Sequence, residues 1–450
     1  LSERKIGWWA VTASIVATET SALTFISVPG TAWKGAWGFL ELSFGYLLGR
    51  IAVSWVLLPR YFDGELTTSY ALLEKSFGVG VRRLASGTFI LTRIFADGVR
   101  LYATAIPLAI IFRGYNLFSG VSDATLYFVA ILLTALVTVV YVQVGGVRAV
   151  IWTDVVQLGI YVLGGLIAVV VLVPKIPELG AKLAAAAAAG KLTVFQTDGS
   201  FLTSPYHVLT AIVGGAVLSM ASHGTDYIIV QRLFATDSLR DGRRALVASG
   251  VVVILQFVLF LSVGTLLFLF YGPMEMKADA VFPKFIVEQV PPGFSGLIIA
   301  GLLAAAMSTI SGSISSISSA TVFDLWASTK RGRLASEEEK LRLSRRVSFF
   351  WAVLLTGAAL AFIGTGQAVV ELALSIASFT YGGFLGLFLL AVRGRTPPRA
   401  AAAGFVAGVA AMVFVVFGTK LAWPFYTLAG SLVTVAVAEA SSVFERRAKA

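Results

Sequence analysis

The chain has no cysteine and only two histidines, and 13% of its 450 residues carry charge. Without cysteine there is no disulfide framework and no thiolate metal site. An intramembrane enzyme would need a nucleophile–base pair or metal ligands at depth, and one histidine at that depth does not supply them, so catalysis is not expected. No Rossmann, P-loop or EF-hand motif occurs. The chain starts at Leu1 rather than Met and lacks a signal-peptide pattern, which predicts a missing upstream segment.

What fills the space is apolar. Hydrophobic residues make up 57% of the chain and mean hydropathy is +0.86. Apolar stretches of roughly 20 residues recur, the length that crosses a bilayer. About twelve spans are expected, near 7–29, 37–59, 86–112, 124–144, 148–173, 207–231, 243–271, 294–325, 344–364, 367–392, 400–418 and 422–441.

The net charge of +11 would suggest nucleic acid in a soluble protein. Here the loops explain it, and no nucleic-acid partner is expected. With the segment before Trp8 placed in the cytoplasm, alternate loops carry Arg60, Lys75, Arg82, Arg83, Arg148, Arg232 and the run Lys330 to Arg346. Roughly 24 of the 35 basic residues then fall inside, about 8 outside and about 3 within helices, a positive-inside bias. Two long connections lie outside. Pro174 to Tyr206 holds an alanine run, Ala184 to Ala189, suited to a surface helix; Tyr271 to Gly293 carries four prolines and suits a short lid.

Two spans are interrupted by polar residues. The first, Trp8 to Pro29, breaks at Ala17 to Ser21; the other, Val208 to Val230, breaks at Ser219 to Asp226. Backbone freed at membrane depth is tolerated only inside protein or along a wet cavity. Paired interruptions of this kind point to the midplane site of a secondary transporter.

Ionisable residues at that depth are costly and therefore few: Glu19, Glu41, Arg50, Arg93, Asp97, Arg100, Asp154, His223, Asp226 and Glu371. Arg93, Asp97 and Arg100 share one helix face. Two readings stay open for them, a self-neutralising ladder or a substrate-facing arginine. Glu19 and Asp226 either cap half-helices or touch solute or ion. The hydroxyl-rich run Ala304 to Ser313 is either close helix packing or an oxygen source for a hard cation.

W-W-A-V-T-A-S-I-V-A at Trp8 to Ala17, G-G-V-R-A-V-I-W-T-D-V-V-Q at Gly145 to Gln157, V-Q-R at Val230 to Arg232 and A-G-L-L-A-A-A-M-S-T at Ala300 to Thr309 carry a resemblance. Together they resemble the sodium:solute symporter family, which includes sodium/glucose, sodium/proline and sodium/sialic acid carriers and has the LeuT fold. The resemblance implies an all-α membrane protein forming one transport domain over 1–450. Its five-plus-five inverted repeat would comprise 7–173 and 207–392, with broken helices one and six and two further helices over 400–441. The family usually has one more helix before Trp8.

Carried over by position, a sodium ion would take the carbonyls of Ala17, Thr20 and Ala305 and the hydroxyls of Ser308 and Thr309. A second sodium would use Asp154, Ser308 and Ser311, although Gly312 stands where a further serine is expected. Thr24, Ser27, Ser219, Ser222 and His223 would face the solute. Apart from the resemblance, Arg93 and Arg100 outnumber Asp97 on their face by one positive charge, which an anionic solute gripped by either arginine, or Glu41, Asp226 or Glu19, would neutralise. The sugar carriers' lysine falls at Val253 and their glutamine at Thr24, a departure from hexose transport.

The expected function is sodium-coupled import of a small polar or anionic organic solute across a bacterial inner membrane, with both chain ends cytoplasmic. A proton-coupled or uncoupled carrier is the alternative, and a membrane sensor module a more remote one.

Overall fold

The computed structural model describes residues 6–447 except 64, 65, 67, 117, 119 and 364–368, and gives no side chains for 23, 141, 143–147, 369–378 and 447. Glu371 therefore lies outside the described side chains. Helix dominates, since backbone surrounded by lipid must bond within its own segment.

The first span is two helices, α1 (Trp8–Glu19) and α2 (Ala22–Lys34), with a bend of 64° measured between Trp8–Glu19 and Thr24–Lys34. The helix continues past Pro29, where the hydrophobic pattern ends, to Lys34. Proline forfeits one ladder bond there, which buried packing tolerates: a Cβ on Gly264 would lie 2.1 Å from the Pro29 carbonyl oxygen.

Next come α3 (Phe39–Val56), the short α4 (Leu58–Phe62) and α5 (Ala71–Phe77), and the long α6 (Val79–Gly114). Helix α6 starts seven residues before the expected span, so Arg82 and Arg83 are helical rather than loop residues. Arg82 is tolerated because Asp324, buried, lies 2.5 Å away and Glu74 pairs with it too.

The fourth and fifth spans fall in one helical element, α7 (Asp123–Leu172), instead of two separate helices. Its backbone bonding carries through Gly145 and Gly146; glycine is common in membrane helices. In the connection that follows, α8 (Leu179–Ala188) is the surface helix the alanines predicted.

The sixth span is broken. A wide turn at Thr210–Gly214 leads into α9 (Gly215–Gly224), and after Thr225 and Asp226 the chain resumes as α10 (Tyr227–Leu233). The interruption is narrower than expected, because Ser219 to Gly224 stay helical. Then follow α11 (Leu239–Tyr271), α12 (Ala278–Gln289) in the proline-bearing connection, α13 (Phe294–Ser319), the short α14 (Lys330–Leu334) and α15 (Glu337–Ala361). Ser336 caps α15 by accepting from Glu339 N at 3.2 Å, with three glutamates in the first turn. The chain finishes with α16 (Val369–Arg393), α17 (Pro398–Gly418) and α18 (Tyr426–Arg447).

Among the described residues nine segments are long and apolar enough to cross a membrane, two of them within α7, and the bent α1–α2 pair makes up to ten. Of the twelve expected spans, the broken sixth and α16, described fully only from Phe379, fall short of that length.

Small residues let the site-bearing helices approach. A Cβ on Gly45 or Gly49 of α3 would strike α9 or the turn before it, at 2.6 Å from Ile212 O and 2.2 Å from Ala216 O. This is the small-xxx-small contact of membrane helix pairs. Glu41, also on α3 and buried, accepts from Gln196 N at 2.5 Å and so ties down the long connection between α8 and α9.

Candidate sodium and solute site

The first break is built from backbone. Thr20 leaves the helix at φ −76°, ψ 91°, and Ser21 is extended with no side-chain cap. The last carbonyls of any helix lack intrahelical partners, which frees those of Ala17 and Thr18 here. Helix α13 faces them. Thr309 Oγ1 reaches Thr18 O at 3.4 Å and Ala305 O at 3.2 Å. A narrow crevice is lined by Ala17, Thr20, Ala305 and Ser308, with Gln157, Leu158 and Tyr161 of α7 on its third side. Four of the five residues expected around sodium thus share one crevice, and Thr309 bonds across its edge. Thr20 Oγ1 donates to Gln256 Oε1 at 2.9 Å, and Gln256 Nε2 donates to Tyr161 OH at 3.3 Å.

Beside the crevice lies Asp154, 1% exposed. Ser308 Oγ donates to its Oδ1 at 2.5 Å, Ser14 Oγ to its Oδ2 at 2.5 Å, and Thr18 Oγ1 lies 3.5 Å from Oδ2. Its counter-charge is Arg232 of α10, at 3.1 Å. The positive-inside reading put Arg232 in a cytoplasmic loop; it is buried instead, donating also to Ser14 Oγ at 2.8 Å and Ile228 O at 2.6 Å. Ser311 Oγ donates back to Ser308 O at 2.9 Å.

The two breaks meet through Glu19. Arg50 of α3 pairs with Glu19 and donates to Ser249 Oγ at 2.7 Å. His223 Nε2 lies 3.4 Å from the same carboxylate, and Ser222 Oγ is 2.8 Å from His223 Nδ1. Ser219 Oγ donates to Tyr46 O at 2.9 Å. On α2, Thr24 is half-buried; Ser27 is buried one turn before Gly30, whose Cα faces Ala278 of α12.

Asp226 caps α10 by accepting from Ile228 N at 2.9 Å. Its other oxygen takes Arg93 at 3.2 Å and Tyr381 OH at 2.8 Å. Asp97 lies 3.5 Å from Arg93 and 3.3 Å from Arg100. The two arginines seen on one face of α6 are therefore matched by two aspartates, and the expected excess positive charge is offset by Asp226. Exposure separates the pair: the Arg93 side chain is 2% exposed and that of Arg100 22%.

A family model described as the sodium:solute symporter family matches residues 1–429. The chain belongs to the sodium:solute symporter family. It is a sodium-coupled solute symporter of the LeuT-type fold. It is 27% identical over 446 residues to the sodium/sialic acid symporter SiaT of Proteus mirabilis, covering 96% of this chain and 86% of that protein. The mouse sodium-coupled monocarboxylate transporter 1 is 28% identical over 428 residues, covering 91% and 66%. A solved structure of a substrate-bound, outward-open Na+-coupled sialic acid symporter superposes with a TM-score of 0.85 at 26% identity, covering 98% of this chain and 90% of that one.

Sequence reasoning missed Arg232, Gln256 and Tyr381. Gln157 was within reach: it follows Asp154 by three residues, which puts both on one helix face.

Proposed function

We propose that this symporter imports a small organic anion bearing a carboxylate, with sodium held by the carbonyls of Ala17, Thr20 and Ala305 and the hydroxyls of Ser308 and Thr309. The carrying observation is the crevice where the uncapped first break faces the hydroxyls of α13. Carbonyls and hydroxyls brought together at one break suit a hard cation. For the solute, Arg100 is the arginine to back. Its guanidinium keeps surface free beyond its bond to Asp97, whereas Arg93 is spent on Asp226, Asp97 and Tyr381. An arginine fork can hold a carboxylate with two parallel hydrogen bonds. Sialic acid and monocarboxylates, the solutes named for two relatives, carry that group. Thr24, Ser27, Ser219, Ser222 and His223 then line the rest of the path.

In this reading 7–173 and 207–392 are the two inverted repeats, which rock about the site to alternate access. The chain resides in the bacterial inner membrane with both ends cytoplasmic, following the distribution of basic loops. Uptake into proteoliposomes, driven by an inward sodium gradient and competed by a panel of carboxylates, tests it. Sodium-dependent uptake that carboxylates inhibit supports the proposal. Uptake indifferent to sodium would falsify the ion site, and saturable uptake of a neutral solute unaffected by anions would end the anion assignment.

A further inference from the structure

Glu41 lies in the first turn of α3 with no exposed surface, and only one of its oxygens is used. Oε1 accepts from Gln196 N at 2.5 Å, while Oε2 is buried without a partner. The cover is the connection between α8 and α9. The ring of Phe195 stacks on Phe44 at 6.0 Å, that of Tyr206 meets Phe39 at 6.2 Å, and a Cβ on Gly38 would lie 2.6 Å from Gln196 Nε2. Val208 N donates to Gln196 O at 2.8 Å, so both arms of the connection close over the carboxyl as one strap.

Among the described residues no cation answers this carboxyl. On the strap, Lys191 Nζ donates to Trp33 O at 2.7 Å and His207 Nδ1 accepts from Leu209 N at 3.2 Å; Asp198 and the Tyr206 phenol bring no positive charge. Along α3 the next titratable groups are Tyr46 and Arg50, and Arg50 pairs with Glu19. Helix α9, packed on α3, brings only His223, which lies against the same Glu19. The charges of α11, Arg240 to Arg244, and those of α4 sit at the opposite end of α3, where Arg243 donates to Ser54 O at 2.9 Å; Tyr271 of α11 bonds Glu288. A charge buried without a partner costs far more than a neutral carboxyl short of one hydrogen bond.

We propose that Glu41 is a proton-binding site: its carboxyl is neutral while the strap is docked and ionises when the strap lifts, so that acid docks the strap and alkali frees it. Lifting would wet the carboxyl, which then behaves as an ordinary glutamate, ionised at neutral pH. Docking therefore takes up a proton, and weakens by up to about tenfold for each unit of rising pH. The strap gives that proton its reach. Thr193 O accepts from Trp37 N at 3.1 Å and Lys191 holds Trp33 O, both at the end of α2, while Val208 leads into the turn before α9. These are the halves of the two broken spans on the strap's side, so protonation biases both. The inference is independent of which ion or solute the carrier takes.

The chain has no cysteine, so spin labels can be placed at Lys34→Cys on α2 and Thr197→Cys on the strap, both exposed positions, in the purified protein. Between about pH 5 and about pH 9, a range that spans the ionisation of an exposed glutamate and beyond, the short label-to-label distance should give way to a longer, broader one. Glu41→Gln, neutral at every pH, should keep the short distance throughout. At about pH 6, where an ordinary glutamate is ionised, the infrared spectrum should show the carbonyl stretch of a protonated carboxyl that Glu41→Gln removes. Absence of that band, distances that ignore pH, or a pH response that survives in Glu41→Gln would each overturn the proposal. So would a short distance restored by sodium at constant alkaline pH, which would make this a metal-ion site instead.

Discussion

The two helix breaks are chemically opposite. At the first, Ser21 starts α2 with no side-chain cap, and the Thr18 carbonyl meets the Thr309 hydroxyl, while the charge of the adjacent Glu19 is taken up by Arg50. At the second, Asp226 caps α10 and is itself held by Arg93 and Tyr381. One break leaves oxygens for something mobile to complete, and the other is completed by the protein. Matching interruptions in the sequence therefore need not do matching work: the first is suited to bind, the second to hold shape.

The largest blow to this contrast is the double change Ser308→Ala with Thr309→Ala. Two oxygen ligands disappear, and sodium affinity should fall by at least about tenfold for each, where 1.4 kcal/mol is one decade. The rise in melting temperature that sodium produces should vanish; an unchanged sodium titration would mean the ion sits elsewhere.

Next is Arg93→Gln. It strands the Asp226 carboxylate, and breaking a buried pair costs about 3–5 kcal/mol. Thermal unfolding in detergent should shift down sharply, with solute preference unaltered in the protein that folds. Arg100→Gln should do the reverse, raising the half-saturating solute concentration by about 10- to 100-fold, as loss of a charged hydrogen bond of about 1.5–3 kcal/mol implies, and leaving melting nearly in place. A drop in melting temperature equal to that of Arg93→Gln would show both arginines to be structural. The smallest effect belongs to Ser21→Ala. With no cap bond to lose, it should change stability by less than about 0.5 kcal/mol, whereas a cap such as Asp226 is worth about 1 kcal/mol by itself.

Much of this was readable in one dimension. The position of the first break, the alanine helix and the hydroxyl run of α13 all follow from local polarity. What escaped was pairing across the chain. Asp154 finds Arg232 78 residues away, and hydropathy alone makes an arginine after an apolar run look like a loop cation. Asp226 finds Arg93 on α6 and Tyr381 on α16, which turned an apparent surplus of positive charge into balance. Polar residues also misled in the other direction. Ser219, Ser222 and His223 looked like unwound chain but remain helical, with their side chains bonded to one another and to Tyr46 O.

The Arg232–Asp154 pair also bears on voltage. The membrane potential is worth about 2.3 kcal/mol per charge per 100 mV, but a guanidinium and a carboxylate 3.1 Å apart move together as a neutral unit. As long as they stay joined, the potential has no purchase on either charge. Were the helices that carry them to part, two opposite charges would be left in the field, and a voltage step would draw a transient current from the protein itself.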